Sequence, residues 1–389
     1  MRSSERVEEY RGVAGEAEFE AGRVALWCST TESSWETGYA QVMTSILLDG
    51  VTVAHSGVPA LSDVDLSIED REFLVVIGPS GSGKTTLLRA VAGLDTVTSG
   101  EVSFDGDIVT EQPPALRDVA MVFQGNALLS FKSVRKNVSF PLEVHRVRRD
   151  EIDRRVLAET RTLAIDRFLE RMPNELAAGH QQLVQAARAL VRRPSVFLLD
   201  EPLARMDAAN RQMMRTEILV LQRGYGVTTL YATNDQEEAM VLADRIAVID
   251  EGRLRQVAPP DEIYRTPVDT FVAGFVGSPA MSFMPGEVWG PEVRFGAGAL
   301  PVSPRIASGP VTIGVRPHDW EHVSAAGLRG VVTAIENHGD HGFATVDLSG
   351  DEITMRVAAG SATVGELVEI WTRRFHVFDR SGRAVAHVG

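Results

Sequence analysis

Cysteine is nearly absent: Cys28 stands alone among 389 residues. One thiol cannot build an internal disulfide framework, so stapled secreted folds are excluded and a reducing compartment suits the chain. Long apolar runs are missing too. No window holds the roughly eighteen unbroken apolar residues that a membrane-spanning helix needs. The N-terminus lacks a basic start followed by an apolar core, so no signal peptide is read there. Basic blocks are also wanting. Lys and Arg number 39 against 53 Asp and Glu, a net charge of −14, which argues against nucleic acid as the main partner. The Arg-rich stretch Arg146 to Arg155 is interleaved with Asp150, Glu151 and Asp153 and reads as an exposed helix face. His338 and His341 flank Gly339-Asp340 and read as a solvated hairpin rather than a metal site. These absences point to a cytosolic chain, one that could still dock on a membrane protein.

Apolar residues make up 44% of the chain, enough to fill ordinary cores, and the length suits two or so domains. The chain is organised around Gly78-Pro79-Ser80-Gly81-Ser82-Gly83-Lys84-Thr85-Thr86, which fits the phosphate-cradling pattern G-x-x-x-x-G-K-[ST]. A strand-length apolar run, Phe73 to Ile77, precedes it, and a helix-forming run, Leu87 to Ala92, follows. Glycines let backbone N–H groups approach phosphate oxygens, and the helix N-terminus adds partial positive charge there. Lys84 is expected at the β- and γ-phosphates, with the Thr85 hydroxyl on Mg²⁺.

Residues 1–42 are poor in apolar periodicity, and 1–45 are expected to be a disordered N-terminal extension or a mis-assigned start with Met43 as the true first residue, a regulatory tail being the functional alternative. From Ile46 to Phe73, short β-type runs predict an antiparallel flap beside the glycine-loop strand. Val119 to Phe123 reads as a second buried strand. Residues 133–171 are helical in pattern, and a second helix is expected from Gln181 to Val191. The strands Val196–Leu199, Thr228–Ala232 and Arg245–Ile249 complete a mainly parallel α/β sheet. From about Pro279, close-spaced β runs predict a small all-β, barrel-like domain.

Val196 to Leu199 delivers Asp200-Glu201. With a phosphate loop upstream, Asp200 is the expected Mg²⁺ holder and Glu201 the general base for the attacking water.

The order of the glycine loop, Gln124, Leu176-Ala177-Ala178-Gly179-His180, Asp200-Glu201-Pro202, Met206-Asp207 and Asn234-Asp235-Gln236-Glu237-Glu238 resembles the ATPase subunit of an ABC transporter. The resemblance covers residues 46–389. Phe271 to Met281 and Gly314-Val315-Arg316-Pro317 are similar to stretches of carbohydrate importers of the maltose type. The resemblance implies an α/β P-loop NTPase domain over 46–278, with a helical subdomain at about 125–190, then an OB-like regulatory β domain over 279–389. It implies that Gln124 touches Mg²⁺ and the water, and that the subdomain receives a permease. Asp207 would lie at a dimer seam. Ala177, Gly179 and His180 would clamp ATP held by the opposite subunit, and His55 would stack on adenine. Implied cofactors are ATP and Mg²⁺. Implied partners are a second ATPase subunit, a homodimer before a heterodimer, two transmembrane permease subunits and an external solute-binding protein. The expected place is the cytoplasmic face of the cell membrane and the expected cargo a sugar or related polyol, with polyamine, sulfate or iron as alternatives. A non-transporting, hydrolysis-weakened regulatory dimer is the rival from another class.

The chain departs from that pattern. Ala177 removes the usual serine hydroxyl, whose bond to phosphate is worth about 1.5–3 kcal/mol. Ala178 adds a Cβ, His180 replaces an amide, Asn234 stands at the switch histidine and Ala204 at a usual serine. Asn donates a neutral hydrogen bond but carries no charge. Three readings stay open: activity retained, ATP bound but hydrolysed slowly, or pairing with a different ATPase subunit.

Overall fold

The computed structural model describes residues 44–123, 128–204, 206–296, 298–302, 306–324 and 327–389. The expectations for residues 1–43, for Met43 as the start and for Gln124 lie outside the described residues.

The glycine loop rests on a six-stranded sheet. Its members are β3 (Phe73–Ile77), β6 (Val119–Val122), β7 (Val196–Asp200), β8 (Thr228–Thr233), β9 (Arg245–Asp250) and β10 (Arg253–Ala258), in the order β10-β9-β3-β8-β7-β6. Neighbours among β9, β3, β8, β7 and β6 run parallel, and β10 pairs antiparallel at the edge. The strand β3 is apolar at every position because both its faces are covered. Leu74 and Val76 join a core with the flap, while Phe73, Val75 and Ile77 face the helices on the other side. The flap is β1 (Ile46–His55), β2 (Val58–Ile68), β4 (Ser99–Phe104) and β5 (Asp107–Ile108). The runs Ile46–Leu48 and Val51–Val53, read separately in sequence, are one strand interrupted by bulges.

Among the described residues the helices are α1 (Lys84–Ala92), α2 (Val134–Val144), α3 (Arg149–Thr162), α4 (Ala178–Leu190), α5 (Ala208–Tyr225), α6 (Gln236–Leu242), α7 (Pro260–Arg265) and α8 (Thr270–Phe275). Two expectations need correction. The helical pattern over 133–171 is two helices, α2 and α3, followed by short 3₁₀ turns. The helix expected from Gln181 begins at Ala178, so Gly179 and His180 lie in its first turn. Ala and Gly carry no apolar periodicity, which hid that turn. Val134, Val138 and Leu142 of α2 pack on Ile152 and Val156 of α3 and on Val184 and Ala187 of α4, forming the core of the helical subdomain.

The C-terminal part is all β: β11 (Ser282–Trp289), β12 (Glu292–Phe295), β13 (Gly298–Pro301), β14 (Gly309–Val315), β15 (Trp320–His322), β16 (Leu328–Asn337), β17 (His341–Leu348), β18 (Asp351–Ala358), β19 (Leu367–Thr372), β20 (Phe375–Phe378) and β21 (Ala384–Val388). Among the described residues they form a six-stranded sheet, β13-β12-β11-β14-β20-β21, and a five-stranded one, β15-β19-β16-β17-β18. Both sheets contribute to one apolar core, with Met284 and Ile313 from one and Val346 and Ile370 from the other.

Candidate functional site

The loop between β3 and α1 is built so that side chains stay out of its way. A Cβ on Gly78 would sit 2.1 Å from the Ile249 carbonyl oxygen, so only glycine fits beneath the loop. Gly81 and Gly83 have φ of 80° and 110°, in the left-handed region that favours glycine. The space above Gly81 is open. Ser80 is exposed and Pro79 and Thr86 are half-buried around the same turn. The buried Ser82 hydroxyl has no hydrogen-bond partner. Lys84 is 5% exposed, and its Nζ donates to the carbonyl oxygens of Gly78 at 2.9 Å and Pro79 at 2.8 Å. Burial pushes this ammonium down, while Glu201 and Asp200 pull it back up. A left-handed glycine turn opening a helix, an unmatched buried hydroxyl and a folded-in cation are a fit for a polyphosphate.

The carboxylates arrive from β7. Asp200 closes the strand, and its Oδ1 accepts the Thr85 hydroxyl at 2.9 Å. Burial raises the Asp200 carboxyl, opposed by that hydrogen bond and by the charges of Lys84 and Arg89. Two adjacent hard oxygens, one anionic, suit Mg²⁺. Glu201 follows with φ of 44°, a strained turn for a non-glycine residue. Its N–H donates to the Ala232 carbonyl at 2.9 Å, which fixes the turn against β8. Asn234, just beyond β8, donates its amide N–H to Glu201 Oε1. Glu201 and Asn234 therefore meet across the tips of β7 and β8.

Other predicted residues sit elsewhere. His55 ends β1, with Nε2 3.8 Å from Asp95 Oδ2, and Arg89 grips Asp95 through Nε and Nη2. Ala177 is extended (φ −61°, ψ 154°) and stands at the N-cap of α4 with no side-chain cap. Serine there would contribute about 0.5–2 kcal/mol. A Cβ at Gly179 would meet nothing within 4 Å, so that face of the helix start is open. The His180 ring packs on Phe168 with centroids 4.6 Å apart. Asp207 is exposed just before α5.

An ABC transporter family model matches residues 61–204. The chain is 43% identical over 316 residues to the sn-glycerol-3-phosphate import ATP-binding protein UgpC of Ruegeria pomeroyi, spanning 81% of this chain and 90% of that protein. Its counterpart in Brucella abortus is 40% identical over 356 residues, 88% of this chain and all (100%) of that protein.

The chain belongs to the ABC transporter ATPase family.

A solved bacterial ABC transporter cassette described as dimeric is 29% identical, with a TM-score of 0.50 over 55% of this chain and 98% of its own. The cbiO1 protein of Clostridium perfringens, described as part of the ABC transporter complex cbiONQ, is 28% identical, with a TM-score of 0.53 over 56% of this chain and 89% of its own. As an ABC ATPase the chain binds ATP with Mg²⁺ and hydrolyses it in an importer, beside permease subunits and a dimer partner. Among the described residues no helix is long and apolar enough to cross a membrane.

Sequence reading missed several residues that shape this ABC site. Arg89 and Asp95 back His55. Arg211 and Arg215 of α5 reach Asp235 Oδ2 at 3.3 and 3.0 Å. Gln236 of α6 donates to the Phe275 carbonyl and accepts the Gly277 N–H at 2.7 Å. Nothing in residue spacing signals these, since each partner is distant in sequence or lies on another element.

Proposed function

We propose that this chain is the paired, membrane-docked ATPase of an importer for a phosphorylated polyol, sn-glycerol 3-phosphate. The observation that carries the solute is the full-length likeness to proteins named for that import, at 40% identity and 100% coverage in Brucella abortus. The layout proposed is an ATPase domain over 46–278 and a β domain over 279–389.

In this reading the backbone of Gly78 to Thr86 and Lys84 hold the triphosphate, and His55 lies against the base. Thr85 and Asp200 hold Mg²⁺, with Gln124 as a further ligand. The metal supplies charge neutralisation on the phosphate oxygens. Glu201 takes the proton of the attacking water, and Asn234 keeps the Glu201 carboxylate aimed by donating to it. Ala177, Gly179 and His180 of one copy present the open N-terminus of α4 to the nucleotide of the other, next to Asp207. Without the serine hydroxyl the clamp rests on backbone N–H groups and the helix dipole. Asn234 offers one neutral donor where a histidine can carry charge, so turnover is slower than in relatives with both groups. Homodimer pairing, an external solute-binding protein and a seat on the cytoplasmic face complete the proposal. Phe131, Phe140 and Val144, exposed on the helical subdomain, support a seat for the permease.

The test is reconstitution of this chain in proteoliposomes with the membrane proteins it carries out of a detergent extract. The expected result is phosphate release that rises when sn-glycerol 3-phosphate and its binding protein are supplied, and not with maltose or spermidine. A rise with maltose alone, or with none of the three, overturns the solute assignment.

A further inference from the structure

Arg211 joins two loops that the hydrolysis reaction uses from different sides. It sits one turn into α5, where its N–H donates to the Asp207 carbonyl at 2.9 Å. Its Nη2 donates to the Met206 carbonyl oxygen at 3.1 Å, in the loop before the helix. Its Nη1 donates to Asp235 Oδ2 at 3.3 Å, in the loop after β8. One guanidinium thus spans the Met206–Asp207 loop and the loop carrying Asn234. The fork is planar and fixed, so moving either acceptor moves the other.

The far end of this linkage is rigid. Asp235 Oδ1 caps α6 through the Glu238 N–H at 3.2 Å, and its own N–H donates to Thr233 Oγ1 at 3.0 Å. Glu238 is 2% exposed, and its Oε2 accepts the Tyr231 and Thr233 hydroxyls, each at 2.7 Å. Asp235 is thus held on both flanks beside Asn234, whose exposed amide donates to Glu201. The near end is different. Asp207 is exposed just before α5, although Met206 beside it is buried.

We propose that Arg211 is a positioning residue for hydrolysis: it fixes the Asn234–Glu201 pair according to where the Met206–Asp207 loop is held. It touches neither nucleotide nor water, and acts through Asp235. This rests on the proposed roles of Glu201, Asn234 and the paired seam. When a second copy seats the Met206–Asp207 loop, Arg211 carries that placement to the catalytic carboxylate. A lone chain leaves the loop, and hence the pair, less fixed.

The experiment compares steady-state ATP hydrolysis and nucleotide binding in the full chain carrying Arg211→Ala, Arg211→Lys or Arg223→Gln. Arg223 lies on the same helix, pairs with Asp244 at its other end and reaches neither loop. Expected for Arg211→Ala is a kcat about 10–100-fold lower with KM within about twofold of the parent, the pattern of an interaction made in the transition state. Arg211→Lys keeps the charge but not the fixed fork, and its kcat falls between that of Arg211→Ala and that of the parent. Arg223→Gln leaves kcat and KM unchanged. The inference is overturned if Arg211→Ala keeps its kcat. It is overturned equally if kcat and KM worsen together with a fall in Tm that Arg211→Lys shares, the mark of a merely structural contact. Should the parent chain itself neither bind nor hydrolyse ATP, the proposed function fails first, and the parent control reports that separately.

Discussion

Glu201→Gln is expected to lower ATP turnover by about 10²–10³-fold while the chain still retains nucleotide. The substitution keeps volume and the backbone turn. Glutamine can still meet Asn234, its carbonyl oxygen accepting the amide N–H that Glu201 Oε1 now accepts. What it loses is the ability to take a proton. The phosphate loop is untouched, since Lys84 is held by the carbonyls of Gly78 and Pro79 and Glu201 is a secondary charge upon it. Binding and hydrolysis should therefore separate. Phosphate release measured beside nucleotide retention on a desalting column checks this. Equal turnover in the two proteins would remove Glu201 from the reaction.

Arg316→Met is expected to destabilise the fold by about 3–5 kcal/mol, read as a lower urea midpoint. Arg316 is 1% exposed. Its Nη1 donates to the Val276 carbonyl at 2.6 Å, and Nε and Nη2 donate to the Tyr264 carbonyl at 3.1 and 2.7 Å. The guanidinium carbon lies 3.8 Å from the Tyr264 ring centroid. Burial lowers its pKa, yet the charge persists because these carbonyl dipoles and the ring face replace its water. Methionine fills the volume and leaves both carbonyl oxygens short of their donors. Charge-assisted bonds contribute about 1.5–3 kcal/mol each, and they are not fully additive. A loss below about 1 kcal/mol would mean that the contact is incidental.

That residue also marks the limit of reading the sequence. Gly314-Val315-Arg316-Pro317 was legible as a family motif. That the arginine in it is buried was not legible. Its acceptors, Tyr264 and Val276, lie 52 and 40 residues earlier. The glycine loop was read in full because its chemistry is local: glycine, lysine and threonine at fixed offsets between a strand and a helix. Asp200 and Glu201 were legible for the same reason, as the end of an apolar run. The start of α4 was lost because Ala178 and Gly179 carry no pattern, and the break between α2 and α3 because charged residues continue through it. Arg211, and the contacts of Gln236, stayed hidden since their work is done between elements, where only coordinates bring the partners together. Gln236 now stands out beside Arg316. The two hold the N–H and the C=O of the same Val276–Gly277 peptide, and so tie the loop carrying Asn234 to the β sheets.

In the proposed pairing, each nucleotide site is completed by a second copy of the chain, through the open start of α4 and the Asp207 loop. Phosphate release per chain, followed over a dilution series with MgATP in excess and with light scattering to report mass, tests it most directly. The expected result is a rate per chain that climbs with concentration and levels off as pairs form. A rate per chain that stays constant down to concentrations where single chains prevail would contradict it.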